Sequence, residues 1–282
     1  MPVIDGHAHV FRPRSERYPR PVDRLAPAER EAPVEEFLRA MDAAGVERAV
    51  LVPLGPEDDY LVECLRRHPG RFQGIGVFDP ARPDPAALEA RVERTGIRGL
   101  RLRGLGAGAS DDVRRLPVFP ALRTMAERGL VVWWYAPPDQ LRPLRGVLEA
   151  LPELRVALNH MGFCPERIDA DAGGRPRIRT PLPPSTLPAV LELARFPNVH
   201  VMLSGAYAFS RLPYPYQDLA PVAEALYEAY GAQRLFWASD YPWIAQDPGY
   251  AAMVELPGRL LPGLGEEERQ ALMGGTIARL LW

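Results

Sequence analysis

The strongest constraint on the fold is a regular alternation of short apolar runs with helix-patterned segments. Eight runs rich in β-branched and aromatic residues occur at 3–4, 48–53, 73–78, 97–102, 130–135, 154–159, 199–203 and 234–238. Helical periodicity marks the segments 34–44, 60–67, 85–94, 117–128, 141–150, 184–195, 219–230 and 266–281. Strands that alternate with helices form right-handed βαβ units and a parallel sheet. Eight such units predict a single α/β domain over residues 1–282, a (β/α)₈ TIM barrel with its site at the C-terminal face of the strands.

The alternative architecture is an open, doubly wound parallel sheet. Such sheets usually have fewer strands and often carry a glycine-rich phosphate-binding turn after the first strand. Here the first strand ends instead in Asp5-Gly6-His7-Ala8-His9. The closed barrel is therefore the favoured prediction.

The charged residues exclude some functions. All 34 cationic residues are arginine, since the sequence contains no lysine, so neither a Schiff base nor a carbamylated lysine that bridges two metal ions is available. The net charge is -2, and there is no basic field of the kind that nucleic-acid binding requires. We therefore expect a small-molecule substrate and no nucleic-acid partner.

The sequence also bears on the cellular setting. It has no apolar run near the roughly 18 residues of a membrane helix, and no secretory signal is visible at its start. Cys64 and Cys164 are the only cysteines, too few for a disulfide framework. These features predict a cytoplasmic protein without membrane contact, and a homo-oligomer is not indicated.

Two connections are too long to be simple turns. Residues 161–183 are rich in glycine, proline and arginine, and residues 205–218 are rich in aromatics and proline. Both follow strands, so in a barrel both lie over the C-terminal face. We expect them to act as lids, the alternative being plain surface loops.

Histidines and aspartates occupy several predicted strand ends. Asp5, His7 and His9 alternate at the end of the first strand, so their side chains are expected on one face, which is the barrel interior. His160 closes the sixth strand and Asp240 the eighth. Imidazoles and a carboxylate that converge in this way predict a zinc or manganese site. The same groups equally predict an acid/base cluster without metal.

Arginines near the same end are candidates for substrate binding. Arg101 and Arg103 alternate inward at the end of the fourth strand if the leucines beside them face the helices. An arginine inside a barrel mouth is costly unless it meets an anion, and a bidentate grip on a substrate carboxylate is its natural use. Arg211, in the loop after the seventh strand, is a further candidate. A salt bridge is the alternative role for Arg103 and Arg211.

Other side chains at strand ends are less specific. Either Trp134 or Tyr135 must face inward as a wall of the pocket, and we assign Tyr135 to substrate binding. Ser204 lies near the mouth at the end of the seventh strand and is a possible substrate contact. His200 lies at the early end of that strand and His68 at a helix end, where structural roles are expected.

Six motifs run in order across nearly the whole chain. They are Ile-Asp-Gly-His-Ala-His, His-Pro-Gly-Arg-Phe, Gly-Ile-Arg-Gly-Leu-Arg, Asn-His-Met-Gly, Asn-Val-His-Val-Met-Leu-Ser-Gly and Ala-Ser-Asp-Tyr-Pro-Trp. With them the chain resembles the amidohydrolase superfamily. The resemblance is to its amidohydrolase-2 branch, which includes sugar lactonases, 2-pyrone-4,6-dicarboxylate lactonase and aminocarboxymuconate-semialdehyde-type decarboxylases.

The resemblance implies a distorted (β/α)₈ barrel and a set of site residues. By position, His7 and His9 match the family's first-strand pair, His160 its later histidine and Asp240 its eighth-strand aspartate. These four residues are the expected ligands of one divalent ion, zinc or manganese, if an ion is bound at all. Met202 stands where the lactonase branch often has lysine, so at most one metal is expected.

The sequence therefore predicts a hydrolase that opens a lactone or ester-like bond in a small carboxylated or hydroxylated substrate. Asp240 would be the general base, with His160 as a second catalytic residue, and Arg101 would orient a substrate carboxylate. A non-oxidative decarboxylase that uses the same residues is the alternative. A non-catalytic barrel that binds a sugar acid or another ligand is the third interpretation.

Overall fold

A computed structural model of the protein describes residues 1–106, 112–163, 168–171 and 173–282. Its main sheet has eight parallel strands, which are β1 Ile4–Ala8, β2 Arg48–Leu51, β3 Phe72–Val77, β4 Gly99–Leu102, β5 Val131–Trp134, β6 Arg155–Leu158, β9 Val199–Leu203 and β10 Leu235–Trp237. Two further strands, β7 Asp169–Ala170 and β8 Pro176–Arg177, form a short antiparallel pair. All eight strands of the main sheet coincide with predicted ones.

The helices surround the sheet. They are α1 Val34–Ala43, α2 Asp59–Arg67, α3 Pro85–Thr95, α4 Phe119–Glu127, α5 Leu141–Ala150, α6 Leu187–Glu192, α7 Ala206–Phe209, α8 Ala220–Tyr230, α9 Tyr250–Leu260, α10 Glu266–Gln270 and α11 Thr276–Leu281. Helix α9 has no counterpart among the predicted segments, and the prediction of one helix over 266–281 is wrong because a π-helical turn at Ala271–Gly275 joins α10 to α11. No helix in the described parts of the chain is long and apolar enough to cross a membrane.

The strands follow the order β1-β2-β3-β4-β5-β6-β9-β10, and the two outer strands meet to give a nearly closed barrel. The closing contacts lie at the C-terminal end, where the Asp240 amide donates to the His7 carbonyl at 3.0 Å and the His9 amide donates to that of Tyr241. Gly6 permits this approach, since a Cβ atom there would lie 2.5 Å from the ring of Phe236. The barrel prediction is confirmed.

The barrel interior is apolar in its lower part. Its side chains come from alternating strand positions, namely Ile4, Val50, Val52, Ile75, Val131, Trp133, Ala157, Met202, Phe236 and Ala238. Ile277, Leu280 and Leu281 of α11 join the same cluster, so this helix covers the N-terminal end of the barrel. The C-terminal end of the barrel is therefore the end where a polar site can lie.

The two predicted lid segments contain short elements of their own. Residues 161–183 carry β7 and β8, although 164–167 and 172 lie outside the described residues. Residues 205–218 carry α7. Both segments supply walls of the cavity described below, and their closure over it remains a prediction.

Candidate active site

A bulge in β1 decides which of its polar side chains enter the barrel. Asp5 pairs with Ala49 and Ala8 with Leu51, so three steps along β1 match two along β2. Ala49 and Leu51 belong to the apolar layer between sheet and helices, and Asp5 faces the same way. The expectation that Asp5 shares a face with both histidines is wrong, because the extra residue shifts the alternation and brings only the histidines inside.

Asp5 instead fixes the seam between β1 and β10. One carboxylate oxygen accepts from the amides of Ser239 at 2.9 Å and His7 at 3.1 Å, and the other accepts from the hydroxyls of Ser239 and Tyr250. Burial raises the pKa of Asp5 to about 6, while the hydrogen bonds from Ser239 oppose that rise. Asp5 thus holds the backbone on both sides of the seam.

His7 and His9 face each other at the bottom of the barrel mouth. Their Nε2 atoms lie 3.1 Å apart. His9 Nδ1 lies 2.7 Å from the carbonyl oxygen of Val52, and His7 Nδ1 lies 2.8 Å from the indole nitrogen of Trp133. His7 is fully buried and His9 is 4% exposed, so only His9 touches the cavity above.

Asp240 approaches this pair from β10 in a left-handed backbone conformation, with φ of 61°. Its Oδ2 accepts from the Tyr207 hydroxyl at 2.6 Å. Its Oδ1 lies 3.6 Å from His7 Nε2 and 3.7 Å from His9 Nε2, and it has no hydrogen-bond partner among the described residues. A buried carboxylate oxygen of this kind is ready to accept a proton or to bind a cation.

His160 reaches the same place from the end of β6, also with a left-handed φ of 51°. Its Nδ1 lies 2.8 Å from the Ser204 hydroxyl, and its ring packs edge-on against Tyr135 at 5.0 Å. Gly205 makes room for it, since a Cβ atom there would lie 2.9 Å from His160 Nδ1. Ser204 lies behind His160, outside the cavity lining, so the structure does not place it as a direct substrate contact.

Arg101 provides the positive charge of the site. It is 5% exposed and lies over the Tyr135 ring, with 4.7 Å between the guanidinium carbon and the ring centroid. Its Nε has no hydrogen-bond partner in the described parts of the chain. The inward orientation predicted for Arg101 is confirmed, and of the two candidates after β5 it is Tyr135 that faces inward while Trp134 packs outside.

These side chains form the floor of a cavity of about 480 Å³. Arg103 is exposed at its rim, whereas Arg211 lies outside it, with Nη2 3.3 Å from the Thr180 carbonyl oxygen. The structure thus does not bring Arg211 to the site, because its loop turns the side chain toward a neighbouring backbone.

Burial controls the protonation of the cluster. It lowers the pKa of His7 well below its usual value, that of His9 to about 4 and that of His160 to about 3. Burial also raises the pKa of Asp240, opposed by His9, by the Tyr207 hydroxyl and by Arg101. The Arg101 pKa falls to about 10, again chiefly by burial. The three imidazoles are therefore neutral at pH 7.

The spacing of this cluster suits a divalent ion, but the position of the His7 proton does not. His7, His9 and Asp240 each offer one atom, and these atoms lie within 4.8 Å of one another. His160 is not in this group, although its ring centroid lies 5.6 Å from that of His7, so its place as a fourth ligand stays a prediction. His9 and Asp240 offer free lone pairs of the right kind, whereas the Trp133 indole donor at His7 Nδ1 assigns the His7 proton to Nε2, where the ion would bind.

Several residues of this site escaped the sequence analysis. Tyr207 lies in a segment that was predicted only as a lid. Trp133 faces the barrel interior, as Tyr135 does two positions later, and strand alternation would have predicted this orientation. The loop between β1 and α1 supplies Pro21, Asp23, Leu25 and Ala26 to the cavity wall. Arg20 holds that loop by donating to several of its carbonyls, among them that of Ala26 at 2.8 Å.

Comparison with known proteins agrees with this geometry. The chain is 28% identical over 290 residues to 4-sulfomuconolactone hydrolase of Hydrogenophaga intermedia, covering 98% of this chain and 87% of the relative. It is 28% identical over 249 residues to L-fucono-1,5-lactonase of Burkholderia ambifaria, covering 85% and 80%.

A solved structure from Pseudomonas putida, of a protein proposed to be a 2-pyrone-4,6-dicarboxylic acid hydrolase, superposes with a TM-score of 0.74. It is 28% identical and covers 99% of this chain and 97% of its own. The family model described as amidohydrolase matches residues 4–281. With the barrel, the histidine pair after β1 and the aspartate after β10, this match shows that the chain is an enzyme of the amidohydrolase family, related to lactone hydrolases.

Proposed function

We propose that this protein hydrolyses a lactone that carries an anionic group, with Asp240 as general base. The observation that carries the proposal is the unpartnered Oδ1 of Asp240, which lies in a cavity whose floor also holds a buried arginine. A base and a cation in one cavity suit a substrate with a reactive carbonyl and a negative charge.

Asp240 is oriented for proton transfer by Tyr207. The hydroxyl of Tyr207 occupies Oδ2, so the remaining Oδ1 is the oxygen that can take a proton from an attacking water. Burial raises the pKa of Asp240, which brings this carboxylate closer to the pH at which a general base works best. The rate is expected to fall in acid as Asp240 becomes protonated.

His160 is suited to stabilise the oxyanion. If the Ser204 hydroxyl donates to Nδ1, the neutral ring carries its proton on Nε2 and can donate it to the carbonyl oxygen. Ser204 is then a positioning residue, which acts through His160 rather than on the substrate.

Arg101 is suited to bind the anionic group. Its guanidinium is buried, lies over Tyr135 and forms no salt bridge with a described acidic residue. Leaving such a charge without a counterion is costly, and a carboxylate or sulfonate of the substrate would supply one. Two of the similar proteins carry such groups in their substrate names, 4-sulfomuconolactone and 2-pyrone-4,6-dicarboxylic acid.

The reaction balances with water as the only co-reactant. The water oxygen forms a bond to the lactone carbonyl carbon as its proton moves to Asp240, and His160 stabilises the resulting oxyanion. The bond from this carbon to the ring oxygen then breaks, and Asp240 returns the proton to the departing oxygen. The product is an open-chain hydroxy acid.

The direct test is Asp240→Asn assayed on a panel of lactones with and without carboxylate or sulfonate groups. We expect kcat to fall by about 10³-fold or more, because amide nitrogen and oxygen cannot replace a carboxylate base. Asp59→Asn, exposed at the start of α2 and away from the cavity, is the matched control and should retain its activity. An unchanged rate in Asp240→Asn would remove this residue from the mechanism.

The same assay separates the alternatives. Carbon dioxide release without ring opening would identify the decarboxylase, and tight binding without turnover across the panel would favour a binding protein. Loss of activity after chelation, restored by zinc or manganese, would show that the hydrolase needs a metal.

A further inference from the structure

Beneath the cavity lies a chain of hydrogen bonds that the proposed reaction does not use. It runs from the Trp133 indole to His7, from His7 to His9 and from His9 to the carbonyl oxygen of Val52, over distances of 2.8, 3.1 and 2.7 Å. The four residues come from strands β5, β1 and β2 or the positions that follow them. All are buried, and the indole and the His7 ring are nearly parallel, with 10° between their planes.

The groups at the two ends of this hydrogen-bond chain determine which nitrogen of each histidine carries the proton. An indole N–H only donates, so His7 Nδ1 must accept and the proton of His7 lies on Nε2. A carbonyl oxygen only accepts, so His9 carries its proton on Nδ1 and its Nε2 must accept. The 3.1 Å contact between the two Nε2 atoms is then a hydrogen bond from His7 to His9.

A cation bound between the histidines would break this arrangement. It needs the lone pairs of both Nε2 atoms, so the His7 proton would have to move to Nδ1. Nδ1 would then present an N–H group to the indole N–H at 2.8 Å, with two donors and no acceptor. Trp133 has no room to turn away, because it is fully buried and its ring centroid lies 5.7 Å from that of Phe236.

We propose that Trp133 makes this cluster a hydrogen-bonded base site rather than a metal site, by fixing His7 as a donor to His9. Trp133 is a positioning residue in this role. His7 supports His9 from below, His9 contributes to the cavity floor, and Asp240 keeps a free oxygen because no ion binds it. The proposal concerns cation affinity, whatever the substrate, so its failure would leave the lactonase proposal intact.

The test is zinc affinity, measured with zinc chloride against a competing chelator on the wild-type chain and two variants. Trp133→Phe removes the indole donor and frees His7 to hold its proton on Nδ1. We expect it to bind one zinc ion at least tenfold more tightly than the wild type, the scale on which groups that orient metal-binding histidines act. Trp134→Phe, on the outer face of the same strand, is the matched control and should bind as the wild type does.

Two further measurements secure the interpretation. In the double variant Trp133→Phe/His9→Gln the gain in zinc affinity should disappear, which places the ion at this cluster. Nitrogen-detected NMR of the wild-type histidines reports the tautomers directly. Because it uses the wild-type protein, it does not require that any variant folds. We expect an unprotonated Nδ1 in His7 and a protonated Nδ1 in His9.

Three results would overturn the proposal. One is a wild-type chain that keeps one equivalent of zinc through dialysis against a chelator. Another is equal zinc affinity in the wild type and a folded Trp133→Phe variant. The third is an NMR spectrum in which His7 carries its proton on Nδ1.

Discussion

The two ends of the barrel are built on opposite principles. At the N-terminal end, α11 packs Ile277 and Leu280 against strand residues such as Ile4, and the contacts are apolar. At the C-terminal end, buried side chains include three imidazoles, a carboxylate and a guanidinium. The same eight strands therefore carry a layer that gains free energy from burial and a layer that loses it.

This difference between the two ends indicates which residues determine stability and which determine activity. Apolar packing at the lower end depends on side-chain volume, so the truncation of a side chain there leaves a cavity and lowers stability. The polar layer depends on partners, and two of its atoms, Arg101 Nε and Asp240 Oδ1, have none among the described residues. We expect substitutions at the lower end to lower stability without affecting catalysis, and substitutions of the two unpartnered groups at the upper end to lower catalysis without lowering stability.

Of three substitutions that compare the two ends, Arg101→Gln should have the largest effect. The loss of a charged, bidentate contact should lower kcat/KM on an anionic lactone by about 100-fold or more, and much less on a neutral one. The free energy of unfolding should stay the same or rise, because a buried cation that forms no salt bridge with a described acidic residue is removed. Arg211→Gln, outside the cavity, should change kcat/KM by less than about twofold, and an equal loss in both variants would contradict the assignment.

A smaller effect, on stability alone, is expected from Ile277→Ala. The side chain is fully buried in the apolar end, and its truncation should lower the free energy of unfolding by about 2–5 kcal/mol. Denaturant titration measures this change, and kcat/KM measured well below the melting temperature should match that of the wild type. A large loss of activity in the folded variant would show that the two ends are coupled.

The smallest effect concerns His200, which lies toward the lower end beside Arg234, Arg279 and Arg155. Burial lowers its pKa to about 4, so between pH 7 and 6 the unfolded chain binds more protons at this residue than the folded chain. Stability therefore falls as pH falls, and the loss at His200 over this interval is about 0.7 kcal/mol. His200→Gln should remove that part of the loss, as seen in unfolding free energies at both pH values. An unchanged pH dependence would show that His200 is ordinarily solvated.

The sequence predicted the fold because apolar runs and helical periodicity are properties of neighbouring residues. Strand alternation also predicted that Arg101 faces inward and that either Trp134 or Tyr135 does, and in the structure the inward residues are Arg101 and Tyr135. The same rule failed at Asp5, because one inserted residue in β1 reverses the alternation and the sequence does not mark it.

The parts of the site that escaped prediction depend on contacts between distant segments. Tyr207 meets Asp240, and Trp133 meets His7, only when the barrel is assembled. The contact of His160 with Ser204 likewise joins the ends of two strands that are distant in the sequence. The roles of these residues in substrate binding and catalysis remain predictions.

Because the seam between β1 and β10 brings the candidate site together, catalytic activity requires that the barrel has closed. Asp5 and Ser239 are 234 positions apart, and the backbone bonds beside them bring the proposed base to the histidines. An intermediate in which the first six strands have formed has imidazoles without their carboxylate. Recovery of catalysis during refolding should therefore coincide with the last step of barrel closure and lag behind the recovery of secondary structure.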